Sequence, residues 1–255
     1  MKVSIITVCL NSAGTIRDTI ESVLVQDYPA IEYIIVDGGS TDGTLGIVEE
    51  YNEWISTVIS EPDQGIYDGM NKGIRIATGD VVGILNSDDF YVGSTVISEL
   101  MECMQSANSD SVFADLFVVD SSDTERVVRY YESSRFRPEK LRCGWMPAHP
   151  TFMAKRSLFE RCGLYSLDYR IAADYEMMVR MLYKGGVSYT HFPKVVVKMR
   201  AGGVSTGGLR SSWRLNNEIV RACRANGLKT NLIRVLSKVP AKLLELVRRP
   251  KNWGA

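Results

Sequence analysis

The sequence predicts an α/β domain built on a single, mostly parallel sheet, with antiparallel strands added late and a helical C-terminal extension. Three observations lead there. Short apolar, β-branched runs alternate with amphipathic segments through residues 3–85, at the spacing of strand–helix crossovers. Those runs lack a polar/apolar alternation, as expected of strands covered on both faces. Further on, two apolar runs flank the polar Asp120–Asp123 stretch, which reads as a hairpin.

The elements follow in order. Val3–Cys9 is a strand, Asn11–Thr15 a polar turn, and Ile16–Gln26 a helix with Ile16, Ile20, Val23 and Leu24 on one face. Ile31–Val36 is a second strand. It runs into Asp37-Gly38-Gly39-Ser40-Thr41-Asp42-Gly43-Thr44, where the paired glycines allow a sharp turn and close approach of a ligand. Thr41 or Asp42 can cap a helix over 44–53. Residues 57–60 form a short strand. A helix over 67–77 has Met70 and Ile74 inward and Asp68, Asn71, Lys72 and Arg75 outward, closed by Gly79. Val81–Leu85 is a buried strand leading into Asn86-Ser87-Asp88-Asp89.

The second half is less regular. A helix is expected over 93–106, strands over 111–119 and 126–131, a loop-rich stretch to Pro150, a strand at Thr151–Ala154 and a helix at Ser157–Cys162. A helix beginning near Asp174 is stopped by Gly185-Gly186, and a strand follows over 187–198. Ala201–Gly208 is glycine-rich, of the kind that can close over a phosphate site. Residues 211–226 are helical.

Composition bounds the function. With 255 residues, 45% apolar and 24% charged, a packed core is expected and disorder is not. Thirty basic and thirty acidic residues give zero net charge, which argues against a nucleic-acid binder. The five cysteines are scattered with no C-x-x-C pair, so neither a zinc site nor a disulfide framework is suggested, and reduced, cytosolic thiols are expected. The segment after Lys2 reads as a strand rather than a signal peptide, and no apolar run nears the roughly 20 residues of a spanning helix.

The chemistry concentrates where strands end. In open α/β sheets ligands bind outside the carboxyl ends of the strands. Asp88 and Asp89 stand there, and adjacent carboxylates repel unless a cation joins them. Hard oxygen ligands suit Mg²⁺ or Mn²⁺, with substrate phosphates completing the shell. The plain alternative is an Asp-Asp turn capping the next helix. Asp37 suits an acid gripping ribose hydroxyls or a base N–H, or else a turn former. Asp68 and Lys72, four apart, also suit a surface ion pair worth about 0.3–0.5 kcal/mol. His149, between prolines, can touch a phosphate or an acceptor, or simply pack. Asp174 at a helix start is a ready N-cap, and the helix dipole there would also keep it ionised, as a base must be. Neither a G-x-G-x-x-G fingerprint nor a Walker A loop is present.

Five segments then coincide in order: Ser4–Asn11, Val36–Thr44, Asp68–Gly73, Asn86–Asp89 and Ala173–Glu176. Together they resemble family 2 glycosyltransferases of the GT-A fold, a single Rossmann-like sheet, near the branch that builds bacterial exopolysaccharides such as colanic acid. The resemblance spans about residues 2–208, taken as the catalytic domain, with 209–255 as the extension. It implies inverting transfer of a sugar from a nucleotide-sugar, UDP-linked, to a hydroxyl of a glycan or lipid-linked acceptor, with Mn²⁺ or Mg²⁺. By position it implies Thr7, Cys9 and Asn11 lining the nucleoside pocket and Asp37 holding the base. Asp68, Asn71 and Lys72 lie along the donor, with Asn86 and Ser87 beside them. Asp88 is favoured over Asp89 as the metal acid, and Asp174 is the general base. The chain departs from the family pattern at Asn86, where many relatives carry Asp, and at Ala173, where Glu is frequent.

Between Lys229 and Lys251 seven basic residues face one acid, and apolar residues recur at near-helical spacing, interrupted by Pro240. Such a segment can lie on the inner face of the cytoplasmic membrane or dock on protein. Rival readings are a nucleotidyltransferase, although the 11–15 turn lacks the basic residue such enzymes want, and a non-catalytic nucleotide-sugar-binding protein. Oligomeric state is left open by the sequence.

Overall fold

The computed structural model describes residues 1–202 and 209–238. The strands are β1 (Val3–Cys9), β2 (Ile31–Asp37), β3 (Thr57–Ser60), β4 (Val81–Ile84), β5 (Asp89–Tyr91), β6 (Ser111–Val119), β7 (Val127–Tyr131), β8 (Met153–Lys155) and β9 (Tyr189–Arg200). The helices are α1 (Ile16–Leu24), α2 (Thr44–Glu49), α3 (Ile66–Ile76), α4 (Val96–Ser106), α5 (Arg156–Cys162), α6 (Ala173–Met178), α7 (Leu209–Ala225) and α8 (Leu232–Leu236).

The strands join in one sheet of order β3-β2-β1-β4-β8-β6-β9-β5, with β7 on the edge of β6. The pairs β1/β2, β1/β4, β2/β3 and β6/β9 are parallel. β8 runs antiparallel to β4 and β6, β7 to β6, and β5 to β9. This is the α/β architecture expected, with the antiparallel pairings made by β5, which begins at Asp89, and by strands after it.

Every residue of β1 is buried, which explains the missing alternation. Ile6 and Val8 join one core layer with Met70 and Ile74 of α3 and with α6. Val3, Ile5 and Cys9 join the other, with Ile16 and Ile20 of α1 and Leu100 of α4. The helix over α7 adds Ile219, Ala222 and Cys223 to the first layer, and Val235 of α8 follows.

Several boundaries differ from expectation. α2 ends at Glu49 rather than 53, because the chain beyond tightens into bonds such as Tyr51 amide to Val48 carbonyl at 3.1 Å. α3 ends at Ile76. Gly79 does not close it; a Cβ there would lie 2.7 Å from the Ser4 amide nitrogen, so its bareness lets the chain pass close to β1. The Asp88-Asp89 turn does not cap α4; Asp89 opens β5 instead. His149 begins a short 3-10 turn, His149–Thr151. After Met178 the helix widens into a π-helical stretch, Val179–Lys184. All five cysteines are free. The glycine-rich residues 203–208 and the basic residues 239–251 lie outside the described residues.

Candidate active site

Parallel pairing brings the carboxyl ends of β1, β2, β3 and β4 to one edge of the sheet. Asp37 ends β2, Asn11 lies just past β1, and Asn86–Asp89 follow β4. α3 begins at the same edge, a few residues beyond β3. Its first-turn residue Tyr67 reaches Asp174 of α6 through a hydroxyl 3.3 Å from Asp174 Oδ1. Chain segments more than eighty residues apart therefore place acids along one edge.

In the acidic turn the two carboxylates part ways. Asp89 is buried; one oxygen accepts from Asn86 Nδ2 at 3.2 Å and the other has no partner. Burial, then the charge of Asp88, pushes its carboxyl well above the ordinary range. An amide at 86 can donate to it where a carboxylate would repel. Asp88 remains partly exposed; burial raises its carboxyl too, and the Arg200 guanidinium offsets part of that. Among the described residues no three His, Cys, Asp or Glu side chains gather as a metal cage. A hard divalent ion would find one open carboxylate, Asp88, and would take its other ligands from a diphosphate and water. That donor set fits Mg²⁺ or Mn²⁺.

On the β1–β2 side the predicted donor residues split into an outer and an inner set. Asn11 is exposed, in the left-handed region at φ 52°, and its Oδ1 accepts from the Thr41 amide at 2.9 Å. Ser87 Oγ lies 2.8 Å from Ser12 Oγ. Thr7 and Asp37 are fully buried and Cys9 nearly so. Thr7 accepts from the Tyr33 hydroxyl at 3.1 Å. Asp37 accepts from the Gly39 amide at 3.1 Å, the Ser40 amide at 3.0 Å and the Ser60 hydroxyl at 2.8 Å. Burial alone would raise its carboxyl, but the bonds from Ser40, Ser60 and Gly39 outweigh it and hold it low. Cys9 Sγ lies 3.7 Å from the same carboxylate. Asp37 thus sets the 39–40 backbone from beneath, with Cys9 against its carboxylate. Gly38 is bare for a neighbour rather than a ligand: a Cβ there would meet Asp63 Oδ2 at 2.6 Å.

On α3, Lys72 pairs with Glu61 at 2.8 Å rather than primarily with Asp68, which lies 3.9 Å away. Asp68 accepts from the Gln64 amide at 3.1 Å. Asn71 does not share the outward face expected of it. It is buried, and both ends of its amide are used by the Tyr165 backbone, each at 2.8 Å. Its turn of the helix faces a loop from the second half, which no local pattern reveals.

Asp174 lies in the first turn of α6 but is not its N-cap; that position is Ala172. Its Oδ1 accepts from the Tyr175 amide at 2.7 Å, while Glu218 of α7 accepts from the preceding amides of Ile171 at 2.9 Å and Ala172 at 3.0 Å. Burial pushes the Asp174 carboxyl up, against the opposing pull of His149, the Tyr175 amide and the Tyr67 hydroxyl. Desolvation thus works against the expected pull of the helix start toward the ionised form. Beside it Tyr67 and Tyr165 stack at 5.8 Å, and His149 Nε2 lies 2.8 Å from the Tyr165 hydroxyl. His149 is buried, and burial lowers its pKa.

Tyr67, Asp63, Glu218 and Arg200 were not singled out from the sequence. Asp63 lies in the Glu61–Gly65 turn and Tyr67 opens the next helix, both readable as neighbours of a motif. Glu218 and Arg200 carry no local signal.

A family model described as "Glycosyl transferase family 2" matches residues 4–165. An uncharacterized glycosyltransferase of Mycobacterium tuberculosis is 32% identical over 181 residues, 70% of this chain and 68% of its own. A glycosyltransferase of PGL/p-HBAD biosynthesis from Mycobacterium bovis BCG is 29% identical over 198 residues, covering 76% and 74%. Among solved structures, S. aureus TarS in complex with UDP-GlcNAc superposes with a TM-score of 0.68 at 16% identity, over 94% of this chain and 72% of that one. The mannosyltransferase PcManGT of Pyrobaculum calidifontis, in complex with GDP-Man and Mn²⁺, gives 0.67 at 21% identity over 96% and 73%. The fold is that of GT-A glycosyltransferases, and a nucleotidyltransferase reading is set aside. The match of a family model to well over half of the sequence, together with the mycobacterial relatives, places this chain in glycosyl transferase family 2.

Proposed function

We propose that this enzyme transfers a sugar from a nucleoside-diphosphate sugar, UDP-linked, to a hydroxyl of a glycan or lipid-linked acceptor, inverting the anomeric carbon. What supports the reading is that Asp88 follows β4 at the carboxyl edge of the parallel strands, while Asp174 is tied by the Tyr67 hydroxyl to the start of α3, which begins beyond β3. The nucleotide-sugars bound to the two structural neighbours support the donor class. A biosynthetic role, here taken as surface polysaccharide synthesis, is in keeping with the mycobacterial relative's name as a glycosyltransferase of PGL/p-HBAD biosynthesis.

Asp174 accepts the acceptor's hydroxyl proton as that oxygen attacks the anomeric carbon. One C–O bond forms, the bond to the diphosphate breaks, and the diphosphate leaves with the electron pair. A carboxyl raised by burial holds the proton better than an ordinary one, which suits a base. Asp88, with Asp89 behind it, would hold Mn²⁺ or Mg²⁺, which when bound offsets charge on the diphosphate. Asn11, Asp68, Lys72 and Ser87 line the donor; Thr7, Cys9, Asp37, Asn71 and Asn86 shape its walls. Residues 1–208 form the catalytic domain, α7 buttresses it through Ile219, Ala222 and Cys223, and the 209–255 extension brings it to the cytoplasmic membrane surface. Among the described residues no helix is long and apolar enough to cross a membrane. Ile233 on α8 is 83% exposed, beside the basic stretch.

The test is hydrolysis of a panel of UDP- and GDP-sugars with Mn²⁺, following the released sugar by proton NMR. An α-linked donor should yield the β anomer first. Release of the α anomer overturns inversion, and inertness toward the whole panel overturns the donor class.

A further inference from the structure

The two carbonyls of the acidic turn are each pinned by a side chain from a distant element. Arg200, the last residue of β9, donates through Nη1 to the Asp88 carbonyl at 2.8 Å. Thr19 of α1 donates to the Asp89 carbonyl at 2.8 Å. The second guanidinium nitrogen of Arg200 pairs with Asp18, also on α1, and its Cζ lies 5.0 Å from the Phe90 ring centroid. Arg200 is only 7% exposed, whereas its partner Asp18 keeps about half of its side chain in water.

Stability alone does not call for this arrangement. A buried ion pair is frequently matched or bettered by packed apolar groups, because its desolvation consumes the Coulomb gain. Here the cation sits directly behind a turn of two carboxylates, one of them partly exposed at the donor edge. Its bond to the Asp88 carbonyl fixes the peptide from which that carboxylate projects.

We propose that Arg200 is the positioning residue of the acidic turn: it locks the Asp88 peptide against α1 and β9, so that the carboxylate is held ready for a divalent ion bridging to a diphosphate. The inference rests on the donor-site reading above. Arg200 need not touch donor or acceptor. What it supplies is preorganisation, which appears as affinity for nucleotide that depends on metal.

The experiment is titration calorimetry of UDP and GDP, each with Mn²⁺ and with EDTA, on the full chain. The variants are Arg200→Met, Arg200→Lys and, as control, Asp18→Asn, with melting curves for each. In wild type Mn²⁺ should tighten binding of one nucleotide. Arg200→Met should cut that metal-dependent gain roughly tenfold, the scale of one hydrogen bond made by a charged group, while affinity in EDTA stays within about twofold. Arg200→Lys keeps the charge but cannot span both partners, and should fall in between; it serves if Arg200→Met does not fold. Asp18→Asn leaves the Asp88 bond intact and should keep most of the gain. An undiminished gain in Arg200→Met, or in Arg200→Lys where that variant stands in, overturns the proposal. An equal loss with and without metal also overturns it, because that is a merely structural role. If Mn²⁺ tightens neither nucleotide in wild type, the donor-site reading falls, and this one with it.

Discussion

The Tyr67 hydroxyl stands 2.6 Å from the Ile171 carbonyl and 3.3 Å from Asp174 Oδ1. One phenol thus ties the start of α3 to the carboxylate at the start of α6, across more than a hundred residues of chain. It is also the feature through which the proposed base can be tuned without being removed.

Tyr67→Phe deletes a hydroxyl whose one proton is shared between the Ile171 carbonyl and the Asp174 carboxylate, and leaves the ring stack with Tyr165. The hydroxyl favours the charged form, so its loss should raise the Asp174 pKa further. The acid limb of the donor-hydrolysis pH profile should therefore move to higher pH. A limb that stays in place separates Asp174 from the base role.

Asp174→Asn should abolish transfer and leave nucleotide affinity within about twofold. The sign for stability is opposite to the usual cost of mutation. A carboxyl whose folded pKa is raised above its unfolded value stabilises the fold below the ordinary carboxylate range and loses that contribution as pH rises through the raised value. At neutral pH the neutral amide should melt at or above the wild-type temperature. Near-normal turnover by this variant removes Asp174 from the mechanism.

Asp88→Ala should lose the Mn²⁺-dependent part of nucleotide affinity, by roughly tenfold or more, with the EDTA value unchanged. Calorimetry reads both. Asp89→Asn is the contrast: with its carboxyl already raised by burial, it should keep more of the metal response than Asp88→Ala.

Asn71→Ala strands a buried amide and a buried carbonyl of Tyr165. Each lost partner costs about 1–3 kcal/mol, so a total near 2–4 kcal/mol is expected in urea unfolding. A cost under about 0.5 kcal/mol would show that water replaces the side chain there.

The leading half of the fold was legible because each strand and helix there carries its own signal. Val3–Cys9 and Ile31–Asp37 are apolar throughout since both faces are covered, and the amphipathic stripe at Ile16, Ile20 and Val23 shows which side meets the sheet. Asp88 and Asp89 could be placed beyond a strand end from their flanks alone. Which of them is buried could not, because that depends on Thr19, Asn86 and Arg200, and two of those lie far along the chain.

Sequence by itself determined the α/β class, the strand ends that carry acids, and the ordered motifs of a family 2 glycosyltransferase. The first two follow from periodicity and residue chemistry, which are local, and the third is a resemblance of short segments in order. Tertiary structure decided the rest: that Asn71 clamps Tyr165, that Glu218 of α7 takes the Ile171 and Ala172 amides just before α6, and that desolvation raises Asp174 and Asp89. Hydrogen-bond partners and dielectric surroundings come from segments brought together only by folding, so no window of sequence contains them.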